Sequence, residues 1–343
     1  MKTKILVTGG LGYIGSHTVV KLIENGYEPI VVDNLSKSTL SVLNSIEEIT
    51  GVRPKMHICD CSSDRVLINN IFINNDIYAV LHFAAYRNSN ESIKHPFTYY
   101  KNNVESVYNI VDLAALNGVK YFVFSSTCKV YGHPTVDDLP LTENSPVSFS
   151  KSPYINTKII GEQMVKDFCY AHNMKGVILR YFNPIGAHPS YKLGEFNINK
   201  QNKVLTHIMQ YAKGINDNLL IYGDDYSTPD GTCIRDYIDI NDLADAHIKT
   251  IEYFEKMDNV IEIFNFSGCN AISIKELINK FEDVNKVKLN YKIGERRFGD
   301  AEIMVADCSK ANKMLNWKPV TPIEDSLRTA WNWENKTTRT YKF

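Results

Sequence analysis

The sequence predicts an α/β fold, a doubly wound parallel sheet covered by helices on both faces, with a smaller α/β unit after it. Three observations predict it. Short apolar runs alternate with helix-period segments as far as about residue 180, which is the pattern of successive βαβ units. The first apolar run, Ile5 to Val7, passes into a turn holding Gly9, Gly10, Gly12 and Gly15. The second, Pro29 to Val32, ends on Asp33, 18 residues after Gly15.

Each element follows in order. Ile14, Val19, Leu22 and Ile23 recur at helical spacing until Asn25 and Gly26 stop them. Val42 to Ile49 reads as a helix, Lys55 to Ile58 as a strand, and Val66 to Ile73 as a helix. Tyr78 to Phe83 is a strand, Phe97 to Leu116 a long helix and Tyr121 to Ser125 a strand. Ile155 to Ala171 is a second long helix and Gly176 to Leu179 a strand. The rhythm breaks after residue 182, so the boundaries are 1–182 for the sheet domain and 183–343 for the smaller one, with some later segments shared with the sheet. Residues 184–203 read as a substrate loop, and helices are expected over Asn241 to Tyr253, Ser273 to Val284 and Ile323 to Trp333.

Gly10-Leu-Gly12-Tyr-Ile-Gly15 is a G-x-G-x-x-G between a strand and a helix. Glycines let the backbone turn tightly and approach a pyrophosphate, and the helix start aims free N–H groups at that anion. A carboxylate at Asp33 accepts from ribose hydroxyls and repels a 2′-phosphate, so the expected dinucleotide is NAD, in a Rossmann-type domain. A bare glycine motif also fits a βα turn that binds nothing; strand, helix and acid together carry the reading.

The 38 basic and 39 acidic residues leave a net charge of −1, which argues against nucleic acid or a membrane surface as the main partner. No apolar run is long enough to span a bilayer, and no signal peptide is expected because the first strand starts at Lys4. Seven scattered cysteines, with no C-x-x-C and no His/Cys cluster at zinc spacing, predict a reduced cytoplasmic setting without disulfides or a structural metal.

Tyr154 and Lys158 stand at i and i+4 on one helix face. An ammonium about 5 Å from the phenol, at an effective dielectric near 20, lowers its pKa by roughly 2 units. With the positive charge of an oxidised nicotinamide, that predicts a phenol tuned for proton transfer near neutral pH. On its own, Y-x-x-x-K is more often a solvated face. The dinucleotide turn and Ser125-Ser126-Thr127 on the preceding strand reverse that reading.

Together, Thr8-Gly9-Gly10-x-Gly12-x-x-Gly15, Asp33-Asn34, Ser125-Ser126-Thr127 and Tyr154-x-x-x-Lys158 resemble the extended short-chain dehydrogenase/reductases. His82-Phe83-Ala84, Asn102-Asn103-Val104, the run Arg180 to Pro189, the run Asp230 to Ile238, and Arg296 to Asp300 narrow the resemblance to the UDP-glucose 4-epimerase family, over nearly the whole chain. That resemblance implies NAD held by Gly9, Gly12, Tyr13, Ile14 and Gly15, with the adenosine ribose on Asp33 and Asn34 and the adenine on Asp60 and Cys61. Phe83, Ala84, Arg87, Asn102, Ser125 and Tyr181 would complete the cofactor site beside Tyr154 and Lys158. Tyr154 would be the base, Lys158 its electrostatic partner, and Thr127 a hydroxyl on the reacting sugar oxygen. A UDP-sugar would contact Asn183, Lys203, Asp300 and Met304, its diphosphate clamped by Arg235 and Arg297. From physics alone those two arginines fit phosphate oxygens, or a carboxylate such as Asp236 or Asp300.

The implied reaction interconverts UDP-glucose and UDP-galactose by oxidation at C4, rotation of the 4-keto sugar and re-reduction. A homodimer is implied as well. The pattern is broken around the sugar. Cys128 and Lys129 follow Thr127 where small neutral residues are usual, Arg87 replaces a lysine, Lys203 an asparagine, and Met304 stands at a gate for the sugar's 2-substituent. Those departures keep other epimerases open, acting on UDP-N-acetylhexosamine or UDP-glucuronate, along with an impaired paralogue that only binds. A 4,6-dehydratase usually carries Asp-Glu after the threonine, which Cys128-Lys129 is not.

Overall fold

The computed structural model describes residues 2–196, 203–297 and 300–336. Residues 197–202 of the expected substrate loop, and Phe298 and Gly299 of the arginine motif, lie outside the described residues. The chain opens with β1 (Lys4–Thr8), α1 (Tyr13–Glu24), β2 (Glu28–Asp33), α2 (Ser41–Thr50), β3 (Lys55–Ile58), α3 (Arg65–Ile73) and β4 (Ile77–His82). It continues with α4 (Ser89–Lys94), α5 (Pro96–Leu116), β5 (Tyr121–Thr127), α6 (Pro153–His172) and β6 (Lys175–Tyr181). The helix starting at Pro153 begins two residues before the expected Ile155, because proline fits the first helical turn and Ser152 precedes it in extended conformation.

Past Tyr181 come β7 (Pro184–Ile185), α7 (Val204–Ala212), β8 (Leu219–Tyr222), β9 (Ile234–Asp236), β10 (Ile238–Asp239), α8 (Ile240–Tyr253) and β11 (Ile261–Phe266). The last elements are β12 (Ala271–Ser273), α9 (Ile274–Asn285), β13 (Tyr291–Gly294), β14 (Ile303–Met304), α10 (Ser309–Leu315) and α11 (Ile323–Lys336). The main sheet is parallel throughout, in the order β3-β2-β1-β4-β5-β6-β11. Strand order reverses between β1 and β4, and the crevice at such a point takes ligands in doubly wound sheets.

Both faces of the sheet are dry. Val19, Leu22, Val42 and Ile46 of α1 and α2 pack with Ile240, Leu243 and Ile251 of α8 on one face. Ile68, Ile110, Val111 and Val165 of α3, α5 and α6 pack on the other. The alternation runs within single strands: Ile5 and Val7 face the first cluster, Leu6 the second. Thus α8, β11 and Trp317 serve the main sheet although they follow residue 183. A third cluster gathers Leu205, Ile208, Leu277, Phe281 and Leu327 from α7, α9 and α11. A fourth, Cys128, Val130, Tyr131, Phe182, Ala301 and Met304, fills the seam beside the end of β5. Among the described residues, no helix is long and apolar enough to cross a membrane.

Candidate active site

The glycine turn is built for close approach. Gly9 has φ +66°, and a Cβ there would stand 2.7 Å from the backbone nitrogen of Ala84; at Gly15 it would stand 2.4 Å from the Gly9 carbonyl oxygen. Gly12 caps α1 in extended conformation with no side-chain acceptor, so the first N–H groups of the helix face the crevice. Asp33 is buried at the end of β2 and accepts from the N–H of Leu11 (3.1 Å), the N–H of Leu35 (3.0 Å) and the Ser38 hydroxyl (2.8 Å). The carboxylate therefore also braces the turn. Asn34 Nδ2 donates to Asp60 at 2.8 Å. Burial works against the Asp60 charge, but donors from Ser62 and Asn34 win and hold its carboxyl below the usual range. Cys61 is buried beside it, its thiol pushed well up by desolvation.

Phe83 and Ala84 line the other side, their N–H groups directed at Thr8. Tyr13 donates to the Gly186 carbonyl at 2.6 Å, and Ile14 packs against the core. Of the pair Asn102-Asn103, the second does the structural work. Asn103 Oδ1 accepts from the Tyr86 N–H (2.8 Å), and its Nδ2 donates to the Tyr86 carbonyl (2.9 Å) and to Thr157 (3.0 Å). Asn102 bonds only to Asn103, at 2.9 Å, among the described contacts. The signal was in the sequence: Tyr99, Asn103, Ser106, Ile110 and Leu113 recur at spacings of four and three along the buried face of α5.

Tyr154 and Lys158 both lie on the buried side of α6. Lys158 Nζ donates to the Ser125 carbonyl at 2.5 Å and sits 4.8 Å from the centre of the Phe124 ring. Burial pushes this ammonium down to about 7, with Glu162 opposing. Lys158 is not among the protein groups that act most on the Tyr154 phenol. Desolvation dominates and pushes Tyr154 up to about 12, with the Thr127 hydrogen bond and the Arg87 charge only partly offsetting it. Tyr181, at the end of β6, has its hydroxyl 2.8 Å from His247 Nε2.

Behind these residues lies a network that the sequence reading missed. Glu162, one helical turn beyond Lys158, takes Arg180 Nε at 3.0 Å, Arg180 Nη2 at 2.7 Å and the Ser126 hydroxyl at 2.5 Å. Arg180 Nη1 also donates to Tyr131 Oη at 3.0 Å, and Tyr131 donates to Asn265 at 2.6 Å. The pair is almost fully buried. The series Tyr154, Lys158, Glu162 at i+4 steps could have found it.

At the expected sugar-nucleotide end, Asn183 sits at φ +21° and donates to the Asp236 carbonyl at 2.7 Å. Arg235 is tied to backbone carbonyls of Ile234, Ala301 and Glu302 rather than to Asp236. Arg297 holds Asp300 through Nε (2.9 Å) and Nη2 (3.1 Å), which leaves the other guanidinium donors for an anion. Met304 is buried against Cys128 and Phe182. Lys203, which stands where the family pattern has an asparagine, donates to Glu195 at 2.7 Å. Lys129 is different. Its Nζ donates to the Ser89 hydroxyl at 3.2 Å, and no described carboxylate lies within ion-pair distance. The side chain is exposed; desolvation by its surroundings, Arg297 and Arg235 lower its pKa, while Cys128 and Asp300 oppose them. Among the described residues no group of three His, Cys, Asp or Glu could hold a metal ion.

The family described as GDP-mannose 4,6 dehydratase matches residues 6–330. UDP-glucose 4-epimerase 2 of Arabidopsis thaliana is 39% identical over 337 residues, covering 97% of this chain and 95% of that protein. A UDP-glucose 4-epimerase from Stenotrophomonas maltophila, with bound NAD and formylated UDP-arabinopyranose, superposes with TM-score 0.93 at 35% identity, covering 97% of this chain and 98% of that one. The Bifidobacterium longum UDP-glucose 4-epimerase, in complex with NAD+ and UDP, superposes with TM-score 0.91 at 37% identity and the same coverage.

Proposed function

The chain belongs to the GDP-mannose 4,6 dehydratase family, and from that membership and its full-length 4-epimerase relatives we propose that it is an NAD-dependent enzyme interconverting UDP-glucose and UDP-galactose. The observation that carries the reading is the buried face of α6. It sets the Tyr154 phenol and Lys158 against the end of β5, where Thr127 stands. Cys128-Lys129 in place of two carboxylates speaks against dehydration.

Bound NAD would accept hydride from C4 of the sugar and return it. Gly9, Gly12 and Gly15 would let the pyrophosphate approach the start of α1, and Asp33 with Asn34 would take the adenosine ribose. Phe83, Ala84, Asn102 and Ser125 would complete the cofactor site, Tyr181 would border the nicotinamide, and Lys158 would bond a ribose. Tyr154 would take the 4-hydroxyl proton and give it back, while Thr127 holds the same oxygen. Arg235 and Arg297 would anchor the diphosphate, and Asn183 with Met304 would border a pocket in which the hexose turns. The test is direct: denatured protein should release a dinucleotide, and NMR of native protein with UDP-galactose should show UDP-glucose accumulating. Protein that neither carries nor binds NAD ends the proposal.

A second reading rests on Lys129. Lys129 is an exposed ammonium two residues from Thr127, with no described carboxylate within ion-pair distance, and a carboxylate on the sugar would give it a charge-assisted hydrogen bond. UDP-glucuronate is the sugar nucleotide that would supply a carboxylate. Tighter binding of UDP-glucuronate than UDP-glucose, lost in Lys129→Thr and in high salt, would establish it; equal affinities would dismiss it.

A homodimer is part of the proposal. Phe97, Tyr100 and Tyr108 leave large apolar area exposed along α5, a surface that suits a second copy. Sedimentation at a single protomer's mass would refute it. A cytoplasmic setting is supported by the cysteines, all of them free.

A further inference from the structure

We propose that Glu195 is a positioning residue that keeps Lys203 charged and lets it stand beside Arg87 where the cofactor and the UDP-sugar meet. This rests on the epimerase reading, in which Arg87 faces the cofactor and Lys203 the UDP-sugar. The geometry is specific. Arg87 Nη2 and Lys203 Nζ both donate to the same oxygen, Glu195 Oε1, each at 2.7 Å. The two cations cannot stand farther apart than those two legs together. Lys203 also lies 5.5 Å from the centre of the Tyr13 ring, at the start of α1. One carboxylate therefore ties the loop after β4 to the segment before α7, and Lys203 carries the link on to Tyr13 at the start of α1.

Two like charges this close need the carboxylate between them. Glu195 answers with a pKa held to about 2: burial opposes its charge, and Lys203 and Arg87 overcome that. Lys203 is pushed down to about 8, first by burial, then by Arg87 and by the more distant Lys129, with Glu195 pulling it up. Among the described residues, Arg87, Glu195, Lys129 and Tyr13 are charged or titratable groups that face it. Without the Glu195 charge, burial, Arg87 and Lys129 all disfavour the ammonium. A neutral amine has no charge for a diphosphate. The residue pair Arg87 and Lys203, read from sequence as two separate substitutions, is one unit in space.

The sign follows. In the wild type the ammonium is present below about pH 8 and lost above it, so affinity for a nucleotide diphosphate should fall as pH rises. The experiment is calorimetric titration of the NAD-loaded protein with UDP-glucose between pH 7 and 9. Wild type should weaken several-fold across that range. Glu195→Gln should already be weak at pH 7 and nearly flat, Lys203→Asn weak and flat, and Glu195→Asp should keep a pH-dependent curve of reduced amplitude. Wild-type affinity and slope in Glu195→Gln overturn the proposal. If that variant does not fold, an unchanged slope in Lys203→Asn overturns it equally. A protein that shows these binding curves yet turns over no UDP-galactose would retire the epimerase reading and leave the role of Glu195 standing.

Discussion

A phenol in a dry pocket keeps its proton unless something nearby rewards its loss. Among the protein's own groups, the Thr127 hydroxyl and the Arg87 charge stand on that side of the balance, and burial outweighs both. Burial favours the phenol over the phenolate, so kcat/KM should rise with pH on the alkaline side of neutrality. A stopped assay from pH 7 to 9.5 checks the direction. Tyr154→Phe should lose roughly 10²- to 10⁴-fold in kcat while still binding UDP and NAD; near-normal turnover would move the base elsewhere. Nearby, Glu162→Gln removes the charge that answers Arg180 in a dry site. It should cost about 3–5 kcal/mol in a urea titration, and a loss under 1 kcal/mol would mean water reaches the pair. The i+4 step from Lys158 to Glu162 makes that carboxylate legible from sequence. The meeting of Arg87, Glu195 and Lys203 was not, because no periodicity links the loop after β4 to the segment before α7.

Helices and strands set these side chains only as well as they pack. Helix α6 comes closest to β5 at Gly161, where an added Cβ would lie 2.5 Å from Cζ of Phe124. The same ring carries the Lys158 ammonium on its face. Gly161→Val should push the helix off the strand, costing about 1–3 kcal/mol, and kcat should fall more than KM changes, because the tyrosine and lysine ride on the displaced face. Unaltered kinetics would show that α6 tolerates the shift. Element by element, period and punctuation located most of the first 180 residues, and Lys55–Ile58 was read to the residue. The later misses have physical causes. Strand β11 contains Glu262 and Asn265, which look wrong for a buried strand until Lys310 pairs with the first and Tyr131 with the second. Helix α7 has Lys203 before it and no side-chain cap, and α10 is only 7 residues long, so neither carries a strong start signal.

Across the whole molecule, three histidines, His17, His82 and His247, are buried and neutral, burial pushing them down to about 3, 3 and 4. In the unfolded chain each titrates near 6.5. Below that pH the unfolded state binds more protons than the native one, so stability is lost as pH falls from about 6.5 toward 4. Each histidine contributes up to about 1.4 kcal/mol per pH unit. Urea midpoints should drop steeply between pH 6.5 and 5, and the slope should ease in His247→Gln; a flat profile would contradict the neutral burial. The same scale shows why residue 183 was hard to treat as a clean boundary: α8, β11 and Trp317 complete the sheet from far along the chain. That late return has a consequence during synthesis. Strand β6 ends at Tyr181 and its partner β11 begins at Ile261, so at roughly 5–20 residues per second the edge of β6 waits on the order of 4–16 s for its neighbour to emerge from the ribosome. For that interval the nascent chain presents a row of unpaired amides on an apolar strand, Gly176 to Leu179, open to any other strand that meets it. A chain stopped at residue 182 should therefore collect in the insoluble fraction, and a pulse of fresh β11 peptide should compete for the exposed edge before it aggregates.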